Sequence, residues 1–316
     1  MTPGDRIFVA GHRGLVGSAI LRKLRSVGHD NLVLRTRAEL DLRRQDAADA
    51  FFAKERPAYV FLAAARVGGI VANDAYRAEF IRDNILIQAN VIDGAHRSGS
   101  KILFLGSSCL YPKYAPQPIR EECLLGGELE PTNRPYAIAK IAGLEMVDAY
   151  RRQYGMKGIC VMPTNLYGPN DNFDPESSHV LPGLLQRFHR AKTDGAPEVV
   201  VWGTGSPRRE FLHVDDLADA CVFLMHQYDE PQILNVGVGE DVTIREAAEL
   251  VKDIVEFRGK LRFDPGKPDG TPRKLLDVSR IRALGWRARI PLRQGLAETY
   301  TWYVNSLRGG QAEGSL

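Results

Sequence analysis

Residues 6–24, RIFVAGHRGLVGSAILRKL, decide the fold. The apolar run 6–10 has the length of a buried strand, and Leu15, Val16, Ala19, Ile20 and Leu24 recur at helical spacing. Three glycines therefore lie where strand passes into helix. Gly11 permits a tight turn, Gly14 lets backbone approach a pyrophosphate, and Gly17 lets helix lie close to strand. The N–H groups of that helix end would receive phosphates, which makes Gly11, His12, Arg13, Gly14, Leu15, Val16 and Gly17 the candidate nucleotide loop. The rival reading is an ordinary glycine turn. A strand before, a helix after and a position at the chain start favour the nucleotide.

Working outward, the pattern repeats. Strands are expected at 6–10, 31–34, 58–62, 101–105 and 157–162, with stretches of helical length between them. Such alternation predicts an α/β, Rossmann-type doubly wound parallel sheet. The strand 31–34 ends at Arg35 and Arg37, where a domain that prefers NAD would carry an acid for the ribose hydroxyl. An arginine there can grip a 2′-phosphate by paired charged hydrogen bonds, so NADP(H) is the expected cofactor. A solvated basic edge is the rival reading for either residue.

Two further segments supply chemistry. KILFLGSSCLYP, 101–112, reads as a central strand whose carboxyl end, Leu105, Gly106, Ser107 and Ser108, opens on the ligand crevice. Ser107 could there hold a carbonyl oxygen that gains negative charge as hydride arrives. In PTNRPYAIAKIAGLEMVDAYRRQYG, 131–155, Tyr136 and Lys140 are four apart and share one helix face. A lysine cation beside a phenol is expected to lower the phenol's pKa and make it a proton donor near neutrality. Ser107, Tyr136 and Lys140 make a complete set for carbonyl reduction.

The glycine spacing, GxxGxxG, points to the short-chain dehydrogenase type of Rossmann domain. The strings GHRGLVGSAI, LRTRAEL, LAAARVGGIVAN, LGSSCLYP, EPTNRPYAIAKIAG, VMPTNLYGPNDNF, HVLPGLLQRFH, REFLHVDD and KPDGTPRKLLDV run almost end to end. In these strings the chain resembles the GDP-L-fucose synthase family of extended short-chain dehydrogenases. Only the connection around Gln227 and Gln232 is short against that family. The resemblance implies NADPH-dependent conversion of GDP-4-keto-6-deoxy-D-mannose to GDP-L-fucose, by inversion at C3 and C5 and reduction at C4. It prefers Arg37 to Arg35 for the 2′-phosphate, and it places Pro163, Thr164, Asn165 and Leu166 beside the nicotinamide. Lys140 and His179 also touch the cofactor on this reading.

By residues alone Cys109 reads as an inert buried thiol and His179 as a loop histidine; the resemblance makes them the acid–base pair of the inversion. Thiol and imidazole can both be tuned to titrate near neutrality. The resemblance likewise assigns Arg187, Trp202, Arg209 and Asp269 to the nucleotide-sugar. Without it, the arginines read as surface charges, Trp202 as a core anchor and Asp269 as a turn residue.

The resemblance further implies a homodimeric four-helix bundle built from long helices near 80–96 and 136–154; burial within one subunit is the alternative. The expected domains are a cofactor unit, 1–169 with 211–240 returning to it, and a substrate unit, 170–210 and 241–316. A related reductase acting on another GDP-4-keto sugar, such as a heptose, is the near alternative. A non-catalytic nucleotide-binding protein is the distant one.

Composition fits these expectations. The 316 residues are 44% hydrophobic and 26% charged, and a formal charge of +3 is too slight to argue for nucleic acid. Cys109, Cys123, Cys160 and Cys221 lack paired metal-ligand spacing, so no metal is expected. Neither a signal peptide nor a long apolar span is visible, and the cytoplasm is the expected location.

Overall fold

The structure, a computed structural model, describes residues 1–267 and 269–313. It begins as the glycine motif requires: β1 (Ile7–Ala10), wholly buried, runs into α1 (Leu15–Ser26), which buries Gly17, Ala19, Ile20 and Leu24. There follow β2 (Leu32–Val33), α2 (Gln45–Glu55), β3 (Tyr59–Leu62), α3 (Ile70–Ala75), α4 (Arg77–Ser98), β4 (Lys101–Leu105), α5 (Arg134–Tyr154) and β5 (Gly158–Pro163). The later elements are β6 (Asn165–Tyr167), α6 (Val180–Thr193), β7 (Glu198–Trp202), β8 (Arg208–Arg209), β9 (Phe211–His213), α7 (Val214–Gln227) and β10 (Leu234–Val236). The chain closes with β11 (Val242–Thr243), α8 (Ile244–Val255), β12 (Lys260–Asp264), β13 (Arg273–Lys274), α9 (Ser279–Ala283) and α10 (Leu292–Glu313).

The main sheet has six parallel strands in the order β2–β1–β3–β4–β5–β10. Its order reverses between β1 and β3, the switch point at which such sheets bind ligands beyond the strands' carboxyl ends. Right-handed crossovers put helices on both faces: α2, α4 and α5 pack side by side, and α1 packs on α7. Arg22–Asp215 at 2.5 Å and Lys23–Asp219 at 2.7 Å bridge the second pair. Strand β2 is two residues long rather than the four expected. Of the stretch 211–236 only β10 enters the main sheet; β9 pairs with β6 instead.

Two hydrophobic clusters result. One fills both faces of the main sheet and includes Leu276, Val278, Ile281 and Trp286 from the chain's last quarter. The other is formed by α6, α8, Val199, Val201 and Leu296. Sequence periodicity did not reveal the small sheets β11–β8–β13 and β12–β7, the second of which supplies Val199 and Val201 to this cluster. No helix among the described residues is long and apolar enough to cross a membrane.

Candidate active site

The nucleotide loop is shaped by what a side chain would strike. Gly11 has φ +80°, and a Cβ there would lie 2.8 Å from the Ala64 backbone at the end of β3. A Cβ on Gly17 would lie 2.1 Å from the Gly11 carbonyl oxygen. At Gly14, by contrast, the nearest atom is 3.5 Å away. The loop is thus wedged between α1 and β3 while its outer face stays open, and no side-chain oxygen caps the start of α1. Free N–H groups at the positive end of a twelve-residue helix suit a pyrophosphate. Buried His12 Nδ1 has no hydrogen-bond partner, a further polar group available to a ligand.

At the end of β2, Arg35 is committed: its guanidinium bonds Glu55 at 2.7 Å and lies over the Phe51 ring. Arg37 is exposed and forms no ion pair among the described residues. It is therefore the arginine available to a 2′-phosphate. Arg13, exposed on the loop itself, lies close enough to Glu39 to influence it.

Beyond β4, Ser107 accepts a hydrogen bond from the Cys109 N–H at 3.2 Å and caps a single 3₁₀ turn, 108–110. That turn fixes the thiol relative to the hydroxyl. Helix α5 follows a turn in which Glu130 accepts the N–H groups of Thr132 and Asn133. Its first turns carry Tyr136 and Lys140 inward. Burial raises the Tyr136 phenol above its ordinary range, and Cys109 adds to this while Ser107 opposes it.

The expectation that Lys140 lowers the phenol is corrected here. The Lys140 ammonium is buried, lies 4.5 Å from the centre of the Phe104 ring, and is itself pushed down to about 8 by desolvation. The causes that act on the tyrosine are burial, Cys109 and Ser107, and Lys140 is not among them.

Cys109 is held below its ordinary thiol value. Burial opposes the thiolate, but the Lys274 cation, the Ser107 hydroxyl and Arg209 together outweigh it. Lys274 Nζ donates to Cys109 Sγ at 3.4 Å. His179, read from sequence as a loop residue, is the N-cap of α6. Desolvation and the same Lys274 cation lower its imidazole. Pro163 and Thr164 are buried at the end of β5; Thr164 and Asn165 hydrogen-bond the Glu210 carbonyl at 3.3 and 2.8 Å.

The nucleotide-sugar candidates are spread along the second cluster. Arg209 reaches the neighbourhood of both Cys109 and Asp269. Trp202 is 57% exposed with Lys267 Nζ 5.5 Å from its ring, so it is a surface platform and not a core anchor. Asp269 already accepts from the Thr204 N–H and hydroxyl at 2.7 and 2.8 Å, which commits most of its carboxylate to a turn. Arg187 is exposed on α6 and donates to the Val200 carbonyl at 3.1 Å.

Three residues at the site escaped sequence reasoning. Lys274 stands in an ordinary basic run, PRK, with no spacing to mark it. Glu210 is completely buried and accepts from Gly239 N at 2.6 Å and Leu276 N at 3.0 Å. Asp241 bridges Arg208 and Arg273 at 2.7 and 2.5 Å. Glu210 in REF and Asp241 in GED carry no sequence signal; only the folded contacts show what they hold.

The sequence profile of the NAD dependent epimerase/dehydratase family matches residues 7–237, from β1 through β10. The chain belongs to that family. It is 63% identical over 303 residues to GDP-L-fucose synthase 1 of Arabidopsis thaliana, covering 96% of this chain and 94% of the relative. Among solved structures it resembles a GDP-6-OMe-4-keto-L-xylo-heptose reductase from C. jejuni, with 39% identity, TM-score 0.91 and coverage of 97% and 99% of the two chains. It also resembles a GDP-L-fucose synthetase from Naegleria fowleri bound to NADP, with 30% identity, TM-score 0.89 and coverage of 98% and 96%.

Proposed function

We propose that this protein is a GDP-L-fucose synthase, which inverts C3 and C5 of GDP-4-keto-6-deoxy-D-mannose and then reduces the C4 ketone with NADPH. The observation that carries this reading is the gathering of two sets of groups at one crevice. Ser107 and Tyr136 suit reduction, and Cys109, held below its ordinary thiol pKa, suits inversion. The 63% identity to the Arabidopsis synthase favours it over the heptose reductase and over a non-catalytic binding protein.

NADPH, when bound at the glycine loop and Arg37, supplies the hydride. Ser107 holds the C4 oxygen and Tyr136 gives it a proton. Lys140, near the midpoint of its titration at about 8, can replace that proton. Before reduction, protons at C3 and C5 are acidic because the C4 ketone accepts the electron pair. The Cys109 thiolate removes them and His179 returns a proton to the other face. Arg187 and Arg209 match the diphosphate, Trp202 offers an aromatic face, and Asp269 fixes the turn that borders them.

The second cluster, with residues 170–210 and much of 241–316, would be the substrate-binding unit on the cofactor unit 1–169 and 211–240. The outer faces of α4 and α5 leave Ile85, Leu86 and Ile138 about two-fifths exposed, which supports a homodimer joined through these helices. Four free cysteines suit the reducing cytoplasm.

The experiment is to supply GDP-4-keto-6-deoxy-D-mannose and NADPH in deuterated solvent and follow the sugar by NMR. GDP-L-fucose carrying deuterium at C3 and C5 is expected. In Cys109→Ser exchange should collapse, since an alcohol is far too weak an acid to serve as the base; His179→Gln should also suppress inversion. Normal exchange and normal product in both variants would remove this pair from the mechanism.

A further inference from the structure

We propose that Lys274 is a positioning residue for the inversion: its ammonium pairs with the Cys109 sulfur, holds it as the thiolate and fixes its place in the cleft. The proposal rests on the reading of Cys109 as the base.

The pair is remote in sequence and close in space. Lys274 Nζ lies 3.4 Å from Sγ across 165 residues of chain, and one cleft is lined by both together with Ser108, Asn133, Thr271 and Arg273. Lys274 forms no ion pair with a carboxylate among the described residues, so the sulfur is its acceptor. An exposed lysine would ordinarily swing through solvent. This one stands on a short strand anchored from both sides.

Arg273 is held by Asp241 at 2.5 Å, and Glu210 N donates to the Lys274 carbonyl at 3.2 Å. Leu275 N donates to Gln117 Oε1 at 2.9 Å and Leu276 N to Glu210 Oε2 at 3.0 Å. Four consecutive residues are thus fastened to three separate parts of the chain. A lysine on such a support is a built feature of the site.

The groups that act on Cys109 are few. Ser107 and Lys274 touch it, Arg209 adds a second cation, and Tyr136 is a neutral phenol whose own titration the thiolate opposes. Burial works against the thiolate and Lys274 is the largest influence that favours it. The same ammonium disfavours a protonated His179. One cation therefore favours the deprotonated sulfur, while His179 must take the proton it delivers from solvent, against the same charge. When the thiolate takes the C–H proton, the pair of electrons passes to the C4 oxygen as enolate. Sulfur becomes a neutral thiol, a protonated His179 gives a proton to the other face of the enolate carbon as the C4 carbonyl re-forms, and exchange of one proton each with solvent restores the thiolate and the imidazolium.

The test uses Lys274→Met, Lys274→Gln and Lys274→Arg in the full-length protein. Alkylation of Cys109 by iodoacetamide is followed against pH and read at its own peptide by mass spectrometry. In the Met and Gln variants the inflection should rise by about 1–3 pH units, the usual effect of removing a close opposite charge. The Arg variant should retain most of the wild-type value. Solvent exchange at C3 and C5 at pH 7 should fall by about tenfold or more in Met and Gln and be partly rescued in Arg. NADPH affinity should be unchanged, which shows that the variants are folded. An unmoved inflection in both uncharged variants overturns the proposal and leaves Cys109 as base untouched. A raised inflection with exchange at the wild-type rate overturns the role in inversion. Failure of the Cys109 assignment itself would appear separately, as normal exchange in Cys109→Ser.

Discussion

Replacing Gly17 by alanine tests the cofactor loop at its tightest point. The added Cβ would stand 2.1 Å from the Gly11 carbonyl oxygen, 2.6 Å from its carbon and 2.9 Å from His12 Cα, whereas ordinary contact begins near 3.4 Å. Something must therefore move by about 1.3 Å. None of the three atoms belongs to a flexible side chain. Even a Cβ on Gly11 would meet the Ala64 backbone at 2.8 Å, so the loop has little space to give on that side. The start of α1 must lift instead, and its N–H groups leave the positions from which they face the pyrophosphate. Overpacking of this kind costs about 1–3 kcal/mol of stability. Losing one charge-assisted hydrogen bond of ~1.5–3 kcal/mol weakens NADPH roughly 10- to 100-fold. Calorimetric titration with NADPH and a thermal melt measure the two effects together. Gly14→Ala is the control: its Cβ meets nothing nearer than 3.5 Å, so its melting temperature should stay close to wild type. Wild-type affinity and melting temperature in Gly17→Ala would refute the account of the loop.

Arg37→Ala should weaken NADPH much more than NADH, since only NADPH carries the 2′-phosphate; an unchanged ratio of the two dissociation constants would pass the role to Arg13 or Arg35. Tyr136→Phe should lower turnover of the ketone by about 10²-fold or more while substrate still binds, as steady-state kinetics and a binding titration would show. Lys140 has a folded pKa of about 8 against an ordinary 10.5, so the unfolded chain binds the extra proton between these values and stability rises with pH there. Below pH 8 the full cost of burying the charge applies. Lys140→Met should therefore stabilise the protein at pH 7 by about 1–4 kcal/mol and flatten the rise in thermal stability from pH 8 to 10.5, while reduction is lost. A lower melting temperature than wild type at pH 7 would contradict this.

The fold was legible because its determinants are local. Residues 6–24 contain strand, turn and helix within one short segment, and period-2 and period-3.6 patterns need no distant partner to be read. The spacing of Tyr136 and Lys140 was visible for the same reason: a helix places residues four apart on one face wherever it lies. What the spacing did not carry was the direction of their titration. Burial decides that, and burial depends on Phe104 from another strand and Cys109 from another turn.

The roles proposed for Cys109 and His179 were not readable from their neighbours and came through resemblance alone. Lys274 had no signal at all. Its partner is 165 residues away, and the contact exists because Asp241, Glu210 and Gln117 fasten the strand that carries it. The amino-acid sequence alone therefore determined the doubly wound sheet and the glycine loop, and named the groups proposed for carbonyl reduction, since each is a periodic or short-range pattern. Tertiary structure alone decided which of the two arginines is committed to a carboxylate, which cation stands against the thiol and which acids anchor it. Coulomb attraction and desolvation act through space, and nothing in the order of residues along the chain records those distances.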